Sequence, residues 1–446
     1  MGLINFIKRQ PWIMVLSLAS IGLFIYYLNK NYNVYYYDES GYYYINRNIL
    51  TSGLFNIEEK LRTYLYPLII SLVSIFTNGD LFLLKILVSI IQYVVYVYVV
   101  FLMAYTFKGI KNNDMIYYTI LVFGLLNPYM IHATTLLLTD SLSTCLVVLA
   151  ILQILRSDFK DNRTYLLIFI FTYAAAMIRP SSIIFAPVIV VILLCRKIMF
   201  KDVIIWKCLV FGIIGSIIFI PQIYNNVHFF NHWTPLVHTN LYEFQSNLAA
   251  SNLKYGTVVI PDENAQLFYK SPYDVDSTTG IFKLAFTNFP AFLLAYTSHL
   301  FGVLDWGYIE TYIVDFYPIS RLVGSLFLYI YWITAFYGAV SFTINEKSKN
   351  SRFIQISLIG TFLVYWGFIG TTIIESRFGY PLFLLMLPFS GIGVFRLFES
   401  INKNKVWNIK KSVLYSVICI LLILLIFYIS FLLDYQTGRI NWFGFS

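Results

Sequence analysis

Charged residues are scarce in this sequence. They make up 12% of its 446 residues, whereas hydrophobic residues make up 59%. An ordinary soluble domain has about 25% charged and about 45–50% apolar residues, so this composition excludes a water-soluble fold. Cysteine is also rare: all four cysteines lie in apolar segments, and no two of them form a Cys-x-x-Cys pair. The sequence therefore indicates neither disulfides nor a thiolate metal site.

Long polar stretches are also few, and the basic residues that produce the net charge of +9 lie mostly in short loops between apolar segments. In a membrane protein such loops mark the cytoplasmic side of the bilayer. We therefore take the lipid bilayer as the partner of this chain and reject nucleic acid.

Apolar segments recur from residue 12 to residue 433. A run of about 17–25 apolar residues is needed to cross the hydrocarbon core. The pattern predicts an all-α polytopic membrane protein, a single domain over residues 1–446 with about 11 transmembrane helices. The first span follows Lys8 and Arg9 and lacks a signal-peptide cleavage site, so we expect it to be retained. The predicted spans are 12–29, 81–107, 115–137, 139–155, 164–178, 181–195, 203–223, 322–344, 353–374, 378–398 and 412–433.

Two further apolar segments, 64–77 and 284–304, are assigned to interfacial helices on the outer surface, because counting them as spans would place basic loops outside. This threading puts 19 Lys and Arg but 6 Asp and Glu inside, against 12 and 16 outside. The bias is typical of a correct topology. It predicts a cytoplasmic N-terminus, a tail from Asp434 outside, a first outer loop at residues 30–80 and a central outer loop at 225–320.

Placing an ionisable residue inside a membrane span costs free energy, so each such residue is a functional candidate by default. In the predicted topology, six of them gather at the outer face: Asp38, Glu39, Asp140, Arg179, Glu375 and Arg377. A carboxylate can accept a proton from an attacking hydroxyl, and an Arg fork can hold a phosphate leaving group. Together they suit group transfer from a lipid-linked phosphate ester. The structural alternative is that they snorkel or pair with one another at the ends of spans.

Five short segments, in this order along the chain, carry a resemblance to a known superfamily. They are Tyr37–Tyr42 (YDESGY), Arg62–Pro67 (RTYLYP), Leu138–Leu142 (LTDSL), Ile178–Pro180 (IRP) and Glu375–Pro381 (ESRFGYP). The sequence resembles the GT-C membrane glycosyltransferases, in particular the protein O-mannosyltransferases and lipid A aminoarabinose transferases of the glycosyltransferase family 39 type. The resemblance covers roughly the first two hundred residues and residues 370–400.

The resemblance implies an inverting hexosyl or pentosyl transferase in the cell membrane, with an extracytoplasmic active site. Its donor would be a polyprenyl-phosphate sugar, and its acceptor a cell-envelope glycan, lipid or protein. Asp38 would be the catalytic base or would orient the acceptor, with Glu39 supporting it and Asp140 as a second acidic residue. The candidates for the donor phosphate, in no defined order, are Arg62, Arg179 and Arg377, with Glu375 and Tyr66 in support. A local anchoring role competes for Glu39 and Glu375.

Two other functions stay open. A lipid-linked glycan polymerase or ligase also uses outer-loop arginines, although it relies less on an early acidic pair. A lipid-linked sugar flippase would place charges along a pathway near the bilayer midplane, but here they lie at span ends and no internal repeat is apparent.

A cofactor is not indicated. His228 and His232 have the spacing of metal ligands on one helical face, but the residues around His232, Asn231 and Trp233–Pro235, favour a loop. A divalent metal is therefore possible but unsupported. The tyrosines that flank Asp38 and Glu39 could stack on a sugar; we favour anchoring at the interface, where tyrosine is enriched.

Overall fold

A computed structural model provides the three-dimensional structure. The structure describes residues 11–111, 113–255, 268–276, 278–305, 321–345, 348–401 and 409–435. Lys8, Arg9 and Lys347 lie outside these residues, as do parts of the predicted central outer loop and the tail from residue 436.

Helices account for most of the described residues. The first eleven are α1 (Pro11–Asn31), α2 (Tyr37–Ser52), α3 (Leu65–Ser74), α4 (Leu81–Lys111), α5 (Asp114–Leu125), α6 (Pro128–Thr134), α7 (Asp140–Arg156), α8 (Asn162–Ile178), α9 (Phe185–Phe200), α10 (Ile205–Gly215) and α11 (Ile220–Phe230). The remaining seven are α12 (Leu241–Ser251), α13 (Ile281–Thr287), α14 (Phe289–Gly302), α15 (Arg321–Asn345), α16 (Lys349–Ile369), α17 (Tyr380–Ile401) and α18 (Ile409–Tyr435). Short 3-10 helices cover Pro180–Ile184, Ser216–Phe219 and Ser376–Gly379. Two short antiparallel strands, β1 (Asn252–Tyr255) and β2 (Phe268–Lys270), interrupt the helices.

The predicted fold class is confirmed: the chain is an all-α polytopic membrane protein apart from the two short strands. Each of the predicted spans coincides with helical structure. Among the described residues, 8 helical segments are long and apolar enough to cross a membrane. The predicted spans 139–155 and 164–178 coincide with α7 and α8, of 17 residues each. The total of eleven spans stays a prediction.

The predicted span 115–137 is not one straight helix. Helices α5 and α6 meet at a bend of 54°. The cause is the Asn127-Pro128 pair. Pro128 occupies the first turn of α6, where its missing N–H costs nothing, and the Asn127 side-chain oxygen Oδ1 caps the new helix by accepting from Tyr129 N at 3.1 Å.

The two segments assigned to interfacial helices form short helices. Within residues 64–77, only the ten residues of α3 are helical. Residues 284–304 are divided between α13 and α14 at Asn288, whose side chain caps α14 by accepting from Ala291 N at 3.2 Å. Neither segment contains a continuous helix of spanning length. Their position at the outer surface stays a prediction.

The chain folds into two compact units. The first contains residues 1–239 and 348–361, and the second contains residues 240–347 and 362–446. In the second unit α15 and α17 cross at two glycines. A Cβ atom at Gly338 would collide with the Phe389 carbonyl oxygen, and one at Gly393 with the Thr334 carbonyl oxygen. Small residues at such crossings let membrane helices approach backbone to backbone.

In the first unit, α6 and α7 are joined by an irregular segment, Thr135–Thr139, that is buried throughout. Irregular backbone at this depth requires partners for its polar groups, because hydrocarbon supplies none. The Gln92 amide of α4 donates to the Thr134 and Leu136 carbonyl oxygens at 3.1 and 2.8 Å. This segment ends at Asp140, one of the predicted site residues.

Candidate active site

The first acidic pair lies in the opening turn of α2. The Glu39 carboxylate accepts a hydrogen bond from the Tyr36 backbone N–H at 2.9 Å and so caps the helix. Negative charge is favoured at a helix N-terminus, where several N–H groups lack partners in the helix. The capped turn holds Asp38 beside Glu39, at the position that the motif YDESGY predicted.

Asp38 contacts Arg62. The Arg62 Nη2 atom donates to Asp38 Oδ1 at 3.1 Å, and the guanidinium packs 5.3 Å from the centre of the Tyr42 ring. The side chains of Arg62 and Asp38 are 16% and 25% exposed. The pair is therefore ordered by its surroundings but remains open to a substrate.

Gly41 makes room for this contact. A Cβ atom at residue 41 would lie 2.5 Å from the Arg62 Cζ atom. We expect Gly41→Ala to displace the guanidinium and to lower activity by about tenfold to a hundredfold, the scale of a misplacement of about 1 Å. The measurement is turnover of the purified variant alongside its thermal unfolding midpoint, which alanine should preserve because it favours helix.

Gly22→Ala is the matched control for that variant, because a Cβ atom at this α1 position meets nothing within 4 Å. Unchanged turnover in Gly41→Ala would show that the position of Arg62 does not matter for activity.

The second pair joins the start of α7 to the end of α8. Asp140 is the first residue of α7, and Arg179 follows the last residue of α8. The two side chains form a salt bridge in which Asp140 is 3% and Arg179 is 11% exposed. Arg179 Nε also donates to the Ser181 hydroxyl at 2.9 Å. This pair is more deeply buried than the Asp38–Arg62 pair.

Two hydrogen bonds bring the segments that carry these pairs together. The Thr63 hydroxyl, next to Arg62, donates to the Met177 carbonyl oxygen at 2.6 Å, two residues before Arg179. The Glu39 carboxylate accepts from the Leu137 backbone N–H at 2.6 Å, three residues before Asp140. The first unit thus gathers two carboxylates and two guanidiniums from four separate segments in one region.

Lys85 is a site residue that sequence reasoning missed. Its ammonium donates to Glu39 Oε2 at 2.8 Å, and both side chains are fully buried. The same nitrogen donates to the Val34 carbonyl oxygen. The available signal was a lysine inside an apolar run, where a charge is costly unless it has a partner.

Glu39 accepts three hydrogen bonds, from Lys85, Tyr36 N and Leu137 N. Burial raises the pKa of its carboxyl group, and these three donors oppose the rise. A fully buried carboxylate with this many donors is suited to fixing backbone segments. The geometry therefore favours the structural role that competes for Glu39, and the supporting role implied by the resemblance stays a prediction. Tyr66, also fully buried, donates to the Gln92 side chain at 3.3 Å.

The late motif lies in the second unit. Glu375 precedes a 3-10 helix that contains Arg377, and Arg377 Nε donates to Glu375 Oε2 at 2.6 Å. These residues form a local pair, as the anchoring alternative anticipates. Their role toward a donor phosphate stays a prediction.

The histidine-rich segment is divided between a helix and the predicted loop. His228 lies in the last turn of α11, where its ring stacks on Tyr224, whereas Asn231 and Trp233–Pro235 are non-helical, as predicted. The helix ends at Phe230, because Asn231 adopts a left-handed conformation with φ 51°; His232 lies beyond it. Among the described residues no group of three or more His, Cys, Asp or Glu side chains could hold a metal ion.

Comparison with known proteins bears on this arrangement of charges. Residues 40–258 match the model of the Alg9-like mannosyltransferase family, just under half of the chain. The resemblance to GT-C glycosyltransferases is confirmed. The chain is a multi-pass membrane protein, and the family match indicates a glycosyltransferase. No curated protein matches the chain.

The matched region contains Arg62, Lys85, Asp140 and Arg179, whereas Asp38 and Glu39 immediately precede it and Arg377 lies far beyond it. The match therefore supports the class of enzyme. The roles of individual residues stay predictions.

Proposed function

We propose that this protein transfers a sugar, mannose being the first candidate, from a polyprenyl-phosphate donor to an acceptor hydroxyl on the outer face of the cytoplasmic membrane. The observation that carries the proposal is the partly exposed Asp38–Arg62 pair, set beside a second pair of Asp140 and Arg179. The match to the Alg9-like mannosyltransferase family supports the choice of mannose. A cell-envelope glycan, lipid or protein supplies the hydroxyl.

In this mechanism the acceptor oxygen attacks the anomeric carbon as the bond from that carbon to the phosphate oxygen breaks. Asp38 takes the proton of the acceptor hydroxyl. The electron pair of the broken bond leaves with polyprenyl phosphate, whose charge is stabilised by guanidinium groups. A single attack from the face opposite the leaving phosphate inverts the configuration at the anomeric carbon.

Arg62 can contact both the Asp38 carboxylate and the donor phosphate. A guanidinium carries five N–H donors in a fixed fork, and one of its nitrogens contacts Asp38. A donor phosphate bound to the remaining edge would bring the leaving group next to the carboxylate that receives the proton. Arg179 and Arg377 are further candidates for the phosphate.

The proposal is tested with purified protein in detergent, given polyprenyl-phospho-mannose labelled in the sugar and envelope fractions as acceptors. We expect label to move from lipid into an acceptor with release of polyprenyl phosphate. The donors polyprenyl-phospho-glucose and polyprenyl-phospho-arabinose test the choice of sugar. A folded protein that leaves every donor uncleaved, yet moves it across vesicle membranes, would instead be a transporter.

A further inference from the structure

Among the buried polar side chains of helix α4, Lys85 and Gln92 lie two turns apart on one face and make hydrogen bonds to other segments. They are 0% and 1% exposed, in a helix that is otherwise apolar enough to span the membrane. Buried polar groups inside a span are costly and are kept where they have partners. Their partners all belong to segments that carry predicted site residues.

Lys85 contacts one of these segments directly and a second through Glu39. It donates to the Val34 carbonyl oxygen, just before α2, and to the Glu39 carboxylate. Glu39 in turn accepts from the Leu137 backbone N–H at 2.6 Å. One ammonium and one carboxylate thus link the turn that presents Asp38 to the segment that ends at Asp140.

Gln92 joins the same irregular segment to the first turn of α3. Its amide nitrogen donates to the Thr134 and Leu136 carbonyl oxygens. Its amide oxygen accepts from the Tyr66 hydroxyl at 3.3 Å, four residues after Arg62. Both donors and the acceptor of the Gln92 amide are therefore used.

We infer that Lys85 and Gln92 are positioning residues, which set the location of Asp38, Arg62 and Asp140 relative to one another without touching substrate. This inference rests on the proposed function. Residues 135–139 lack regular secondary structure, so the side chains of Gln92 and of the Lys85–Glu39 pair help to fix their position. Group transfer is sensitive to placement errors of about 1 Å.

The test compares Lys85→Met, Gln92→Leu and Ser89→Ala. Ser89 is the matched control, because it lies between the two on the same face, is 0% exposed, and its hydroxyl has no hydrogen-bond partner among the described residues. We expect kcat to fall about 10- to 100-fold in the first two variants while KM for polyprenyl-phospho-mannose changes less than about threefold, since positioning mainly affects kcat. Ser89→Ala should match the native protein.

Lys85→Met leaves Glu39 without its cation and can impair folding. The double variant Lys85→Met/Glu39→Gln removes both charges, and Gln92→Leu does not involve the pair. Hydrogen–deuterium exchange of residues 134–140, measured without substrate, should become faster in Lys85→Met and Gln92→Leu but not in Ser89→Ala.

The outcomes separate the two proposals. Native protein without transferase activity overturns the proposed function, and the exchange data then report on positioning by themselves. Active native protein with native kcat in folded Gln92→Leu and in the folded double variant overturns the positioning roles. A fall in activity that appears wholly in KM also overturns them, because it would assign these residues to donor binding.

Discussion

Asp38→Asn should lower the rate of sugar transfer by about 10²- to 10⁴-fold, the usual contribution of a general base. The amide is nearly the same size as the carboxylate but cannot take the acceptor proton. It can still accept a hydrogen bond from Arg62, which lies 3.1 Å from Asp38 Oδ1, so the local geometry should persist. The measurement is kcat and KM for polyprenyl-phospho-mannose, and we expect the loss to appear in kcat.

Glu58→Gln provides the matched control, because Glu58 is an exposed carboxylate in the same predicted outer loop. It should keep full activity. A folded Asp38→Asn protein with native turnover would contradict the mechanism and would favour a lipid-linked glycan polymerase or ligase, which depends less on an early acidic residue.

The positions of Asp140 and Arg179 could be predicted because local features determine them, whereas helix α2, which carries Asp38, was not predicted within the first outer loop. Asp38 lies in the first turn after a short loop, and Asp140 and Arg179 mark the ends of apolar runs that become α7 and α8. A charge at the end of an apolar run is a reliable boundary, since burying it further into lipid is unfavourable.

Contacts between side chains that are distant in the sequence could not be predicted in the same way. Lys85 and Glu39 are 46 residues apart and Gln92 and Thr134 are 42 apart, and one sequence contains no signal that such residues meet. Lys85 lies within the predicted span 81–107, and its neighbours in sequence give no sign that it contacts Glu39. The role of a buried polar residue depends on tertiary contacts rather than on its neighbours in sequence.

Irregular elements were predicted least well. Strands β1 and β2 have four and three residues and are stabilised by pairing with each other, which an apolar periodicity over so few residues cannot reveal. The bend between α5 and α6 was visible in the Asn127-Pro128 pair, yet the apolar run continues through it, so hydropathy alone joined the two helices into one span.

Arg179→Met should destabilise the first unit by about 3–5 kcal/mol, the usual cost of removing one partner of a buried ion pair. Asp140 is 3% exposed and would lose the cation that forms a salt bridge with it. The fall should be seen as a lower thermal unfolding midpoint in detergent. Asp140→Asn should be milder, because Arg179 is 11% exposed and keeps its hydrogen bond to Ser181.

The double variant Asp140→Leu/Arg179→Met separates stability from chemistry. Replacing both members of a buried pair by apolar residues is often neutral or stabilising, so the unfolding midpoint should recover relative to Arg179→Met. Sugar transfer should not recover if Arg179, a candidate for the donor phosphate in the proposed mechanism, binds the leaving group while paired with Asp140. Recovery of transfer together with stability would show that this pair is structural, and would leave Asp38 and Arg62 as the chemical centre of the first unit.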